Sequence, residues 1–471
     1  MSDAGSMATL WRQKPRPRDA LSLCVGALLL RLSVVAWAAP RFPPADDGKF
    51  YYIVADRIAR GLGYTWAWPD GAVTYAAHYP VGYPAILGGV YALVGSSPAA
   101  AMLVNAAFGV LGVFAVHFLV ASAGQRGPAL LAGTLTALHP GLLFYTPALM
   151  TEGVTAALLA ILAALAVGAS QGRKPRLLLC ALGLSAGVLV LIRPQALILV
   201  PLFGFFARGP GLGARARAAA TVTALAVAVC LPWTARNCGK LDRCVLVSAN
   251  GGWNLFIGSH PRATGAWVSI DELGVPAECR TVFGEAEKDQ CFGQAGLRAV
   301  LEQPGHYLGL VPRKLSATFD WSGAPGHYLH ASNAQVFGER SKLTLGLAEA
   351  AFQRLLLLAC LIALGRVAGP GRGVRRFLAA VALPFLFIRY AWVAYVLLVI
   401  VASVLGRELA RRPAVALGAA CVAATASTHA VFFGAGRYGL VCVPLLIALL
   451  GQALAALRME RPSFDRRDAG G

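Results

Sequence analysis

Two adjacent carboxylates, Asp46 and Asp47, sit in the stretch RFPPADDGKFYYIVADRIARGLGY, Arg41 to Tyr64, directly after the first long apolar run. A positioned carboxylate can take a proton from a hydroxyl as a new bond forms, an effect of about 10²–10⁴-fold in rate. A third acid, Glu152, opens another apolar run, and Arg193, Arg236 and Arg437 stand at the ends of others. Guanidinium groups grip phosphate bidentately, so the combination suggests base chemistry beside a phosphate clamp. His78, in AAHYPVGYP, could join the clamp only when protonated, since imidazole titrates near pH ~6.5. Plainer readings stand beside each residue. Arg193, in LIRPQAL, could snorkel; Asp56 and Arg57 suit a solvated helix face; Glu152 could cap a helix start. Asp46, Asp47 and Glu152 are compatible with a divalent cation, Mg²⁺ or Mn²⁺, and do not require one.

The elements that must position these groups are membrane spans. Of 471 residues, 57% are hydrophobic and 14% charged, and mean hydropathy is +0.62. Soluble domains carry about 25% charged residues, so this chain belongs with polytopic membrane proteins. The net charge of +20 does not indicate nucleic acid, because most Lys and Arg lie in short clusters between apolar runs, where the positive-inside rule expects them.

Candidate spans are 20–38, 80–96, 98–122, 127–147, 153–170, 177–192, 194–207, 215–235, 343–365, 377–389, 390–406, 413–433 and 438–457. The basic clusters 12–18, Arg126, 172–176, 208–217, 366–376, 407–412 and the C-terminal tail are assigned to the cytoplasm. The fold expected is all-α and polytopic, with about 12–13 transmembrane or re-entrant helices, external amphipathic helices and one large external loop. Three units are expected. They are a catalytic transmembrane module 1–235 with its first external loop 39–79, the external loop 236–340, and C-terminal helices 341–471. Asp46 with Asp47 and Glu152 all fall outside, yet three candidate spans separate them, so one cannot fully cross. The weakest is 80–96, where Pro80, Gly82 and Pro84 crowd the start. Residues 48–60 have the mixed apolar and basic pattern of an amphipathic surface helix.

Six of the ten cysteines lie in apolar runs; Cys238, Cys244, Cys279 and Cys291 share one polar stretch. Their spacing is not CxxC and no histidine pattern completes a zinc site, so two disulfides in an oxidising compartment are the favoured reading. Three connectivities are open, and Cys238–Cys244 with Cys279–Cys291 is the simplest.

Several pieces then line up along the chain. They are ADDGKFYYIVADRIARGLGY, YPVGYPAIL, TPALMTEGV, LIRPQALILVP, LPWTARN, SANGGWNLFIGSHPRATGAW and HAVFFGAGRYGLVCVPLL. In order and spacing they resemble the GT-C class of polyprenyl-phosphate-sugar-dependent glycosyltransferases, which includes protein O-mannosyltransferases and lipid A aminoarabinose transferases. The resemblance implies Asp46 as general base with Asp47 its neighbour, and Glu152 as the acid of a TE motif. Arg193, Arg236, Arg437 and Tyr438 would bind substrate, and Trp253 could stack on a sugar, although a folded loop lid explains Trp253 equally well. Aminoarabinose transferases tend to carry a lysine where this chain has His78, which argues against that donor.

The expected function is an inverting transfer of a sugar from a polyprenyl-phosphate donor to a hydroxyl of a lipid, glycan or protein. It would take place at the outer face of a bacterial inner membrane, among membrane lipids and without nucleic acid. The competing reading is a transporter or flippase of a lipid-linked saccharide. Transporters tend to place ionisable residues near mid-membrane in broken helices, whereas here they gather at one end of the spans.

Overall fold

The computed structural model describes residues 13–172, 174–209 and 211–459. Arg12, Arg173 and the basic tail beyond residue 459, all assigned above to the cytoplasm, lie outside them. The N-terminal half contains α1 (Pro17–Ala38), α2 (Asp47–Ala59), a hairpin of β1 (Thr65–Ala67) and β2 (Val73–Tyr75), and α3 (Gly82–Val94). It continues with α4 (Pro98–Ala121), α5 (Arg126–Leu138), α6 (Pro140–Phe144), α7 (Thr151–Ser170) and α8 (Pro175–Ile192). A 3-10 turn at Pro194–Ile198 leads into α9 (Val200–Phe206) and α10 (Leu212–Lys240). The segment expected to be external holds α11 (Gly251–Ser259), α12 (Ile270–Leu273), α13 (Glu285–Glu302), α14 (Pro304–Phe319) and α15 (Ala324–Ser332). The chain then returns through α16 (Glu339–Arg366), α17 (Arg372–Ala382), α18 (Ala391–Ser403), α19 (Pro413–Val431), α20 (Gly436–Gly439) and α21 (Val443–Met459).

Among the described residues, eight helices are long and apolar enough to cross a bilayer, and the protein is an integral membrane protein. The other candidate spans are helical but shorter. The 127–147 candidate divides into α5 and α6 at His139–Pro140, and α17 ends just before Pro384, because proline cannot continue a helical ladder. At 13 residues, α3 extends only about 20 Å, well short of the ~30 Å hydrocarbon core. Between the two acids α5 is equally short, also with 13 residues. The surface helix expected over 48–60 is α2, which buries Tyr51, Val54 and Ala55.

Small residues let the helices close on one another. A Cβ at Gly183 would lie 2.6 Å from Leu225 Cβ, and one at Gly187 would strike Val229, so α8 and α10 meet along glycine. Likewise Gly82 brings the start of α3 against the backbone of Leu191 and Ile192, where a Cβ would lie 2.7 Å away. That contact seats YPVGYP beside Arg193. At the cytoplasmic end assigned above, Arg126 grips Asp19 through Nη2–Oδ1 at 2.6 Å and Nε–Oδ2 at 2.7 Å, joining the starts of α1 and α5.

The segment from α11 to α15 has its own apolar cluster, in which Phe256, Ile257, Leu273 and Phe292 pack with Phe433 and Tyr438 of the C-terminal part. Cys238 is joined to Cys244 and Cys279 to Cys291, with Cα atoms 4.1 and 5.8 Å apart. A bridge between Ala266 and Gly434 draws the TGAW motif to the GAGRYG motif.

Candidate active site

The residues before α2 are pinned from behind by a tyrosine. Tyr328 Oη, on α15, accepts the backbone N–H groups of Ala45 at 3.2 Å and Leu149 at 3.3 Å. A Cβ at residue 48 would lie 2.6 Å from that oxygen, so glycine is required directly after the acidic pair. The chain enters α2 through Asp46 at φ 48°, ψ −135°. This left-handed conformation is rare for an L-residue and costs about 1–3 kcal/mol. Its side chain makes no capping bond and is 47% exposed, with His327 Nε2 at 3.9 Å from Oδ2.

Asp47 is held quite differently. As the first helical residue it meets the positive end of α2, and it accepts from Tyr79 Oη at 2.8 Å and Arg437 Nη1 at 2.8 Å. The Arg437 guanidinium continues inward, with Nε 3.5 Å from Glu152 Oε1. Glu152 is buried in the first turn of α7, where it accepts from Tyr145 Oη at 2.9 Å and Arg193 Nη1 at 3.2 Å. Tyr438 lies under both cations, with its ring centroid 5.0 Å from Arg193 and 5.2 Å from Arg437. It also stacks on the His429 ring, with centroids 4.1 Å apart. Two carboxylates and two guanidinium groups thus alternate in a chain of ion pairs from Asp47 to Arg193. Asp46 is the acid left outside it.

The fold therefore brings Asp46, Asp47, Glu152, Arg193, Arg437 and Tyr438 together. The remaining candidates form the wall behind Tyr79. His78 packs its ring edge-to-face on Tyr79 and Trp253, and burial lowers its pKa below the ordinary imidazole value despite the Asp47 charge. Trp253 also lies 4.2 Å from the Phe292 ring. Arg236 donates to Ala76 O at 2.9 Å and Tyr64 O at 2.8 Å and lies over Trp233. It braces the β-hairpin and is not part of the ion-pair chain.

Sequence reasoning missed Tyr79, Tyr145, Glu285, His327 and Tyr328. Glu285, at the start of α13, accepts the backbone N–H groups of Ala77 at 2.5 Å and His78 at 3.0 Å. It thereby fixes the segment that aims Tyr79 at Asp47. Burial raises the Glu285 pKa, with the two backbone bonds opposing the rise, and burial followed by the Asp47 charge pushes the Tyr79 phenol well up, so it stays a donor. Tyr79 adjoins a residue already singled out and was the one legible member. Glu285 is 207 residues from His78, and no local pattern links them.

Among the described residues, no three His, Cys, Asp or Glu side chains converge as a metal site. Arg437 stands between Asp47 and Glu152, 2.8 and 3.5 Å from their oxygens. Its guanidinium takes the place of a cation bridging these two acids, so in this arrangement they do not fit Mg²⁺ or Mn²⁺.

No family model and no curated protein matches the chain. Among solved structures, it is similar to the Archaeoglobus fulgidus oligosaccharyltransferase tethered with an acceptor peptide. Identity is 14% and TM-score 0.46, over 92% of this chain and 49% of that one. The same organism's oligosaccharyltransferase AglB, in complex with an inhibitory peptide and a dolichol-phosphate, gives 15% identity and TM-score 0.45, over 92% and 50%. ArnT from Cupriavidus metallidurans bound to undecaprenyl phosphate gives 15% and 0.38, over 93% and 77%. The chain spans about half the length of the oligosaccharyltransferase chains it matches.

Proposed function

We propose that the protein is an inverting membrane glycosyltransferase that moves a sugar from a polyprenyl-phosphate donor to a hydroxyl acceptor at the external face. One observation carries the reading: two neighbouring carboxylates have been given opposite environments. Asp47 is tied to Arg437 and Tyr79, while Asp46 is held in a costly backbone conformation with its carboxylate half exposed and only His327 Nε2 near it, at 3.9 Å. Groups whose surroundings divide them in this way are commonly divided in role.

In the proposed reaction the acceptor oxygen bonds to the anomeric carbon as its proton passes to the Asp46 carboxylate. The bond from that carbon to the phosphate oxygen breaks, and the lipid phosphate departs with the electron pair. The transition state is oxocarbenium-like. Arg193 and Arg437, each with guanidinium N–H groups beyond those used in the ion-pair chain, face the developing phosphate charge. Asp47 and Glu152 keep both arginines oriented in advance, and Tyr438 supports them from beneath. Acceptors of the class are a lipid, a glycan or a protein hydroxyl, and the site faces the periplasm or exterior of a bacterial inner membrane. The test is transfer from a radiolabelled polyprenyl-phosphate sugar in membranes carrying wild type or Asp46→Asn at matched levels. Transfer is expected to fall by about 10²–10⁴-fold with the substitution, and transfer within about tenfold of wild type would refute the assignment.

A further inference from the structure

We infer that the cavity beside Arg31, inside the membrane-spanning bundle, is a binding site for a single halide-sized anion. Arg31 lies in the apolar run of α1 and is 1% exposed. Its one hydrogen bond is a long contact of 3.4 Å from Nη1 to Ala27 O, and Nε–H has no acceptor among the described residues. Room for the side chain is cut into α4, where any Cβ at Gly109 would collide with Arg31 Nε. The guanidinium borders a cavity of about 20 Å³ whose walls include Asn105, Thr136, Tyr145 and Thr146.

The hydrogen-bond inventory of those walls sets the ligand's chemistry. Asn105 spends its amide on Thr146 O and Ala148 O, and its oxygen on Tyr83 Oη. Thr136 donates to Ala132 O, and Tyr145 donates to Glu152. No carboxylate lines the cavity, and Glu152 is already engaged by Arg193 and Arg437. What is left is the Thr146 hydroxyl, able to donate or accept, and a positive charge with unused donors, so the surroundings favour an occupant that accepts hydrogen bonds. A water could do that, but it cannot offset a full charge removed from solvent, and buried charges are ordinarily paired. The volume of about 20 Å³ exceeds the ~10–15 Å³ a water needs, leaving room for an ion somewhat larger than water. A monatomic anion, chloride in the cell, satisfies both constraints. The site shares Tyr145 with the ion-pair chain but contains none of its carboxylates or guanidinium groups.

The test uses the full-length protein purified in detergent, with bromide as the probe. Anomalous diffraction from crystals grown in bromide is expected to show a peak in contact with the Arg31 guanidinium. In parallel, the melting temperature should rise saturably as chloride or bromide replaces gluconate at constant ionic strength. Arg31→Gln removes the charge-assisted bonds and should weaken halide affinity by about ten- to a hundredfold, flattening the titration. If that variant does not fold, the bromide map of the wild type decides alone. Water density without an anomalous peak, or an equal halide response in Arg31→Gln, would overturn the inference.

Discussion

Replacing Asp46 with glycine should separate stability from activity. Asp46 occupies φ 48°, ψ −135°, a conformation that costs an L-residue about 1–3 kcal/mol and glycine far less. Glycine returns about 0.5–1 kcal/mol of that through its greater freedom in the unfolded chain. The carboxylate forms no capping bond and is 47% exposed, so little else is lost. The balance predicts Asp46→Gly to be more stable than wild type by about 1 kcal/mol. Removing the base should meanwhile lower kcat by about 10²–10⁴-fold, equivalent to about 3–5 kcal/mol of transition-state stabilisation. KM for the lipid-phosphate donor should barely move, because the arginines and their partners are untouched. Detergent-solubilised protein can be followed by thermal unfolding, and the same preparation assayed for sugar transfer over a range of donor concentrations. Asp46→Asn, which keeps the side-chain shape and the strain, should lose activity without gaining stability. Either of two results refutes the reasoning. One is transfer within about tenfold of wild type in both variants; the other is an Asp46→Gly protein less stable than Asp46→Asn.

Three further outcomes follow from the same geometry. Glu152→Gln leaves Arg193 buried without its carboxylate, and breaking such a pair should destabilise by about 3–5 kcal/mol; adding Arg193→Gln should restore part of this in a double-mutant cycle measured by denaturant unfolding. Glu285→Ala frees the Ala77 and His78 amides and should lower kcat while exposing residues 64–80 to limited proteolysis, with reduction of Cys279–Cys291 acting in the same direction. Burial lowers the pKa of His78 below the ordinary imidazole value of about 6.5: the native protein holds the neutral ring, so this stability is present above about 6.5 and lost as pH falls through the folded value. His78→Gln should flatten that acid-side loss, as read from melting temperature against pH.

Much of this protein is set locally. Apolar runs of about 20 residues can exist in a bilayer only as helices, since every backbone group must be satisfied within the segment. The spans, the surface helix after the acidic pair and the shortness of 80–96 could therefore be read from residue type and order. Proximity in sequence also made Cys238–Cys244 and Cys279–Cys291 the simplest pairs, and these are the pairs the structure joins. The contrast in surroundings between Asp46 and Asp47 could not be read in this way, although the resemblance already implied the base at Asp46. It depends on Arg437, 390 residues beyond Asp47, on Tyr328, which holds Ala45 from 283 residues away, and on Glu285, which aims Tyr79 from the segment between α10 and α16. Two identical side chains in adjacent positions have no local difference that could assign them different roles. Only packing, which ties one carboxylate to a cation and leaves the other strained and open, makes them chemically distinct.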